Sequence, residues 1–320
     1  TAAGAVTVKG TALQVSASMG VTLYPQDSAD VDGLLRHADQ AMYLAKQAGK
    51  NRYHLFDIAH DAAVTTQRQS PEHIRQGLAA REFVLYYQPK VNMTTGEVLG
   101  AEALIRWQHP ERGLLPPGLF LPVIEDHPLS VDVGEWVIAS ALAQMAQWTA
   151  QGMDWGGSVN IGARQLQQEN FASRLADQLA QYPTVDPARL ELEILETSAL
   201  EDITWVSQVM STCQALGVRF ALDDFGTGYS SLTYLKRLPA ELLKIDQSFV
   251  RDMLTDRDDL SIVQTVIGLA AAFHRKVIAE GVETVAHGAA LIPMGCALAQ
   301  GYGIARPMPA QDFPAWATHW

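Results

Sequence analysis

Eight short strand-like segments recur along most of the chain, at residues 84–90, 101–107, 158–162, 190–195, 219–224, 242–246, 277–281 and 299–304. Between most of them, apolar residues fall at helical spacing. Ile203, Val206, Val209, Cys213 and Leu216 form one such face, with Gly217 as its stop. Ile262, Val263, Val266, Ile267, Ala270 and Phe273 form another. Eight strands alternating with helices over roughly 240 residues predict a (β/α)8 barrel. The first link breaks the alternation. Only residues 91–99 separate strands one and two, with Thr94-Thr95-Gly96 at the centre. That is too short for a parallel crossover, so the first strand should run antiparallel in a hairpin.

The residues before this barrel read differently. Residues 13–24 are rich in β-branched side chains and end at Pro25. Val31, Leu34, Leu35, Ala38, Met42 and Ala45 recur at helical spacing up to Gly49, and 51–56 read as a strand. We expect a small α+β fragment over 1–57, too small to be self-sufficient. Residues 58–72 read as a linker and 73–320 as the barrel domain. The 23 Lys and Arg against 35 Asp and Glu give a net charge of −12. Residues 1–57 carry Lys9, Arg36, Lys46, Lys50 and Arg52 against Asp27, Asp30, Asp32, Asp39 and Asp57, so the deficit lies wholly in the rest. Such a surface argues against binding to DNA or RNA polymers. No apolar run reaches the ~18 residues of a membrane span. Two cysteines without paired spacing, Cys213 and Cys296, fit a reducing compartment, which predicts a cytoplasmic domain. The chain starts at Thr1, so it is expected to be part of a longer protein, in which upstream regions could carry membrane attachment.

Alternation along each strand sorts the side chains. Glu102, Leu104 and Arg106 share a face. So do Ser158 with Asn160, Glu191 with Glu193, Ala221 with Asp223, Lys244 with Asp246, and Ile278 with Glu280. Their neighbours are apolar and suit packing on outer helices. The polar sets should then converge inside the barrel, near the strand C-terminal ends where active sites of this architecture lie. A single acid at a strand end is usually a cap, and one Lys-x-Asp pair is usually structural. Acids on several inward faces are not so easily explained, because burying them uncompensated is prohibitive. Divalent cations remove the difficulty. An oxygen-only set of Glu102, Asn160, Glu193, Asp223 and Asp224 suits Mg²⁺ or Mn²⁺ rather than zinc. Asp223 and Asp224 would point apart in a regular strand. We expect the following Phe225-Gly226-Thr227-Gly228 to bend the chain so that both reach a metal pair, an arrangement suited to in-line attack at phosphorus.

These segments resemble the EAL-domain family of cyclic di-GMP phosphodiesterases. The resemblance rests on seven ordered stretches: AEALIRWQHP, VNIGARQL, LELEILET, LDDFGTGYSSL, LKIDQSFV, IAEGVET and QGYGIARPMP. It implies a TIM-like barrel with an antiparallel first strand, and two-metal hydrolysis of cyclic di-GMP to linear pGpG. It further implies Glu102, Asn160, Glu193 and Asp223 as ligands of one ion, with Asp223 shared. Asp224 and Glu280 would complete the set of the other, Glu280 through water. By the same resemblance Lys244 orients or activates the attacking water, held by Asp246, and Gln300 lies near that water. Glu196 fixes the loop after Asp224. Gln88, Arg106, Leu104 and Asp246 fall to the substrate side. The chain departs from the family pattern at Ile124, Gly162, Leu195 and Ala297, none of them a metal ligand. Family members also dimerise through the barrel, so a homodimer is expected. Ca²⁺ is expected to inhibit, its looser coordination spoiling the two-ion geometry.

Residues 1–57 resemble the C-terminal part of a GGDEF domain, in VSASMGVTLYPQD and LLRHADQAMYLAKQAGKNRY. The Gly-Gly-Asp-Glu-Phe signature is absent, so no cyclase activity is expected. A silent cyclic di-GMP receptor on the same barrel is the alternative, disfavoured because all the carboxylates and Lys244 are kept. An unrelated Mg²⁺ barrel enzyme is disfavoured by Gln88, Arg106 and the loop after Asp224.

Overall fold

The structure is a computed structural model. It describes residues 4–8, 11–15, 17–25, 34, 38, 41–42, 53–56, 70–200, 202–227 and 232–320. The chain divides into two compact units, Thr1–His73 and Ile74–Trp320.

In the first unit, β1 (Gly4–Val8) pairs antiparallel with β2 (Thr11–Val15). β3 (Met19–Val21) pairs parallel with β4 (Tyr53–Leu55). The single strand expected over 13–24 is therefore split between β2 and β3. Of the expected helix, Leu34, Ala38, Ala41 and Met42 are helical, and the remainder lies outside the described residues. So does most of the expected linker. Its last residues begin a helix, α1 (Pro71–Ala79), where the Ser70 hydroxyl accepts from the His73 N–H at 3.2 Å.

The second unit continues with β5 (Phe83–Asn92), β6 (Glu97–His109), β7 (Gly113–Leu115), α2 (Leu129–Ala150), β8 (Gly156–Ile161), α3 (Ala163–Leu166) and α4 (Phe171–Gln181). Then come β9 (Leu190–Leu195), α5 (Glu196–Leu200), α6 (Ile203–Gln214), β10 (Arg219–Phe225), α7 (Leu232–Arg237), β11 (Leu242–Ile245) and α8 (Gln247–Asp252). The chain ends through α9 (Arg257–Ala272), β12 (Lys276–Ala279), α10 (Val285–Met294), β13 (Leu298–Ala299), β14 (Met308–Pro309) and α11 (Phe313–His319). Strands β5, β6, β8, β9, β10, β11, β12 and β13 close into a barrel, because β5 bonds both β6 and β13.

β5 is antiparallel to both neighbours, and the other barrel pairings are parallel. The hairpin that makes this possible is tight. Asn92 Oδ1 accepts from the Thr94 and Thr95 amides at 2.9 and 3.3 Å, and Gly96 takes φ 74°. The expected last strand, 299–304, is shorter than predicted. β13 stops at Ala299 and the chain folds back against the segment after β12. A Cβ at Gly301 would lie 2.3 Å from backbone atoms of Val282, so glycine permits that approach.

The outward faces carry the main core. Leu192, Ile194, Phe220, Leu222, Leu243 and Ile245 are buried in one cluster with Val206, Met210 and Cys213 of α6 and Val263 and Val266 of α9. Each such side chain contributes about 1.5–3 kcal/mol on burial. Inside the barrel, Ala221, Leu242 and Ile278 form a separate small apolar cluster. Two residues further along the same three strand faces come Asp223, Lys244 and Glu280. The apolar cluster thus floors the barrel below a polar layer at the strand C-terminal ends.

Candidate metal centre

Lys244 is wholly enclosed at the middle of that layer. Its Nζ lies 2.5 Å from Glu193 Oε2, 2.7 Å from Glu280 Oε1, 3.0 Å from Asp223 Oδ1 and 3.6 Å from Glu102 Oε2. Five strands or strand ends supply these groups. Glu102 and Glu193 are interior residues of β6 and β9, Asp223 belongs to β10, Lys244 to β11, and Glu280 follows the last residue of β12.

The carboxylates form two groups that share a member. Oxygen atoms of Glu102, Glu193 and Asp223 lie within 4.8 Å of one another, and so do those of Asp223, Asp224 and Glu280. The backbone explains how neighbours in sequence join one site. Asp224 has φ 52°, in the left-handed region that aspartate tolerates better than most residues. The pairing of β10 with β11 is irregular between Leu222 and Phe225. The bend expected in the loop after Asp224 thus begins at Asp224 itself and continues at Gly226, with φ 104°. The Asp224 N–H donates to Asp223 Oδ1 at 3.0 Å, and Thr227 Oγ1 donates to the Asp224 carbonyl at 2.8 Å, fixing the turn.

The electrostatics show an excess of negative charge. Burial, with Asp223 and Glu102 nearby, pushes the Glu280 carboxyl up to about 8 despite Lys244. Burial and the neighbouring Asp223 and Asp246 carboxylates push Asp224 up to about 7. Burial and Glu193 raise Glu102 as well. Glu193 goes the other way: against its burial, the ammonium groups of Lys244 and Lys90 hold it well below the usual carboxylate range. Lys244 stays above the usual lysine range, its burial outweighed by the carboxylates around it.

The other expected residues fall around this centre. Gln300 follows β13 and donates from Nε2 to Glu102 Oε2 at 2.5 Å and to Gln88 Oε1 at 3.0 Å. Gln88, opposite Glu102 in the β5–β6 register, donates to the Ala305 carbonyl at 3.0 Å. Asn160 is exposed and turns its amide nitrogen to Glu102 Oε1 at 2.7 Å. Glu196 is buried at the start of α5, and its Oε2 accepts from the Gly226 N–H at 3.0 Å. It thus touches the segment after Asp224. Leu104 and Arg106 continue the Glu102 face of β6 and are half-buried; Arg106 donates to the Ile105 carbonyl at 2.8 Å and lies over the Tyr86 ring.

Asp246 departs from expectation. It does not hold Lys244. Among the described residues, Lys244 pairs with the four carboxylates named above, whereas Asp246 Oδ1 accepts from the Ser248 N–H at 2.9 Å and caps α8. Asp246 acts instead on Asp224, whose carboxyl its nearby negative charge helps to raise. The sequence reading also missed Lys90. Its Nζ lies 2.6 Å from Glu193 Oε1 and 2.8 Å from Glu191 Oε1. Strand alternation carried the signal, since Lys90 shares a face with Gln88.

The donor set fits hard divalent cations. It offers oxygen atoms alone, in two clusters joined by one carboxylate, with more buried acid than the two lysines neutralise. Fold and site together define an α/β barrel with an acidic cation-type centre at the C-terminal ends of its strands. The particular family follows from comparison: residues 72–307 match the EAL domain, and the chain belongs to that family. Residues 1–52 match the diguanylate cyclase GGDEF domain.

The bifunctional diguanylate cyclase/cyclic di-GMP phosphodiesterase MucR of Pseudomonas aeruginosa is 41% identical over 304 residues, covering 95% of this chain and 44% of that protein. The cyclic di-GMP phosphodiesterase PdeR of Escherichia coli is 38% identical over 301 residues, covering 94% of this chain and 45% of that one. The chain spans less than half the length of these relatives. Among solved structures, the PaMucR phosphodiesterase in complex with c-di-GMP is 42% identical with a TM-score of 0.73, covering 76% of this chain and 98% of that one. The cAMP- and cyclic-di-GMP-bound EAL enzyme Bd1971 is 30% identical with a TM-score of 0.74, covering 91% and 77%.

Proposed function

We propose that this chain hydrolyses cyclic di-GMP to linear pGpG by in-line attack of water at one phosphodiester. The observation that carries the reading is the pair of acidic groups sharing Asp223, placed at the barrel end where this architecture builds active sites. The cyclic di-GMP complexes and phosphodiesterase names of relatives support the substrate.

In this reading Glu102, Asn160, Glu193 and Asp223 would hold one Mg²⁺ or Mn²⁺ ion, Asn160 through its side-chain oxygen. Asp223, Asp224 and Glu280 would hold the second. Bound ions supply Lewis acidity, which lowers the pKa of a coordinated water and offsets charge developing at phosphorus. Lys244 neutralises the shared carboxylates and orients the attacking water. Gln300 fixes Glu102 and Gln88 relative to each other. Gln88, Arg106, Leu104 and Asp246 face the substrate, the Arg106 guanidinium being suited to a phosphodiester oxygen. Glu196 holds the Gly226 amide and with it the turn carrying Asp224.

No helix among the described residues is long and apolar enough to cross a membrane. We propose a cytoplasmic domain that works as a homodimer through the barrel. The test is incubation of the purified chain with cyclic di-GMP and Mg²⁺ or Mn²⁺, with products resolved by chromatography. Formation of pGpG that stops with chelator is expected. Turnover persisting in excess EDTA, or intact substrate with either metal, would overturn the reading.

A further inference from the structure

Glu193 is enclosed, and its two oxygens are committed in opposite directions. Oε2 meets Lys244 at 2.5 Å on the side of Glu102, Asp223 and Glu280. Oε1 meets Lys90 at 2.6 Å on the other side. The antiparallel β5 makes the second contact possible. Its register places Gln88 opposite Glu102 and Lys90 opposite Gly100, so Lys90 lies nearer the N-terminal ends of the parallel strands. Glu191 holds the same ammonium at 2.8 Å. Lys90 and Glu191 also line a cavity of about 520 Å³ at that end of the barrel, bounded by the strand-starting residues Gly156, Leu242 and Lys276. The ammonium therefore stands between that cavity and the buried carboxylate.

We infer that Lys90 is a specificity-determining residue of the metal centre: by occupying Glu193 Oε1 it leaves that carboxylate only Oε2, shared with Lys244, to meet a cation, which disfavours two-oxygen binding of Ca²⁺ relative to Mg²⁺ and Mn²⁺. The inference rests on the proposed reading of the site as a metal centre. Ca²⁺ takes 6–8 oxygen ligands and readily accepts a carboxylate through both oxygens, whereas Mg²⁺ requires six in a near-ideal octahedron and keeps single-oxygen contacts and waters. Glu193 held by Lys90 offers the second kind of contact. Released from Lys90, it can rotate and offer both oxygens. The charge of Lys90 acts alike on any divalent cation, so a change in the ratio of affinities reports the geometry rather than the charge.

The test is calorimetric titration of the whole chain with Mn²⁺ and, separately, with Ca²⁺, without substrate, for wild type and Lys90→Met. The expected result is a ratio of Mn²⁺ to Ca²⁺ affinity that falls by about 10-fold in Lys90→Met, the lower end of what a supporting hydrogen bond to a ligand usually controls. An unchanged ratio in a Lys90→Met chain that melts cooperatively would overturn the inference while leaving the metal centre standing. Should Lys90→Met fail to fold, Glu191→Gln, at a partly exposed position, loosens the same ammonium. A shift of the ratio in the same direction supports the inference, and no shift overturns it. Wild type that binds neither ion would overturn the metal-centre reading, and this inference with it.

Discussion

Asp223 and Asp224 are consecutive residues whose carboxylates both reach Glu280, because the backbone turns left-handed at Asp224 with φ 52°. Asp224→Asn keeps a residue that tolerates this conformation, whereas Asp224→Ala adds strain of about 1–2 kcal/mol. Both remove a proposed ligand, so both should lose most pGpG formation. Only Asp224→Ala should also melt at lower temperature. Equal melting temperatures for the two variants would show that the turn stores no such preference.

Asp223 belongs to both acidic groups, so Asp223→Asn should cost more than Asp224→Asn. We expect a fall in turnover of at least 10²-fold beyond that of Asp224→Asn, since two ions lose a ligand at once. Product formation at saturating Mn²⁺ gives the comparison. A milder effect at Asp223 than at Asp224 would remove the shared role.

Lys244→Ala separates stability from catalysis. Taking away the ammonium leaves four carboxylates facing one another, and breaking a buried pair in this way costs about 3–5 kcal/mol. In EDTA the variant should therefore melt well below wild type. Mn²⁺ should restore most of the difference, because the ions replace the missing charge. The rate should still fall by about 10²–10⁴-fold at saturating Mn²⁺, the range for a lost acid–base or positioning group. A melting deficit equal with and without Mn²⁺ would argue that Lys244 is purely structural.

Glu196→Ala should act on binding as well as rate. Glu196 grips the Gly226 amide at 3.0 Å, two residues beyond Asp224. Without it the turn loosens and the second acidic group spreads. Affinity for cyclic di-GMP in Ca²⁺, where turnover is expected to be blocked, should fall together with the rate in Mg²⁺. A variant that loses rate alone would place Glu196 outside the turn's support.

Much of this arrangement is legible in the sequence, because period-two alternation assigns faces without any knowledge of the fold. Glu102, Glu193, Asp223 and Lys244 were placed together in this way, and the short link after β5 announced the antiparallel strand. The rest depends on terms that alternation does not carry. The left-handed turn at Asp224 is a local backbone choice that puts two adjacent side chains on one site. Asp246 has its strand-face neighbour in Lys244, but the start of α8 claims its oxygen for a cap. Alternation puts Lys90 on the Gln88 face, but its partners Glu191 and Glu193 on β9 come within reach only when the barrel closes.

The raised Glu280 carboxyl makes stability fall with pH in the chelated chain. Its unfolded value is near 4.5 and its folded value about 8, so the folded chain holds this proton more tightly than the unfolded one. The stabilisation is complete below about 4.5 and is lost as pH rises through about 8. Asp224, raised to about 7, adds to the same trend. Glu193, depressed, changes stability only in acid and does not enter this window. Urea midpoints in EDTA should therefore fall between about pH 5 and pH 8. Glu280→Gln should reduce that decline without abolishing it, because Asp224 remains. Mn²⁺ competes with protons for the same oxygens, so adding it should reverse the trend for wild type. Parallel pH profiles for wild type and Glu280→Gln in EDTA would show that Glu280 ionises freely in the folded chain.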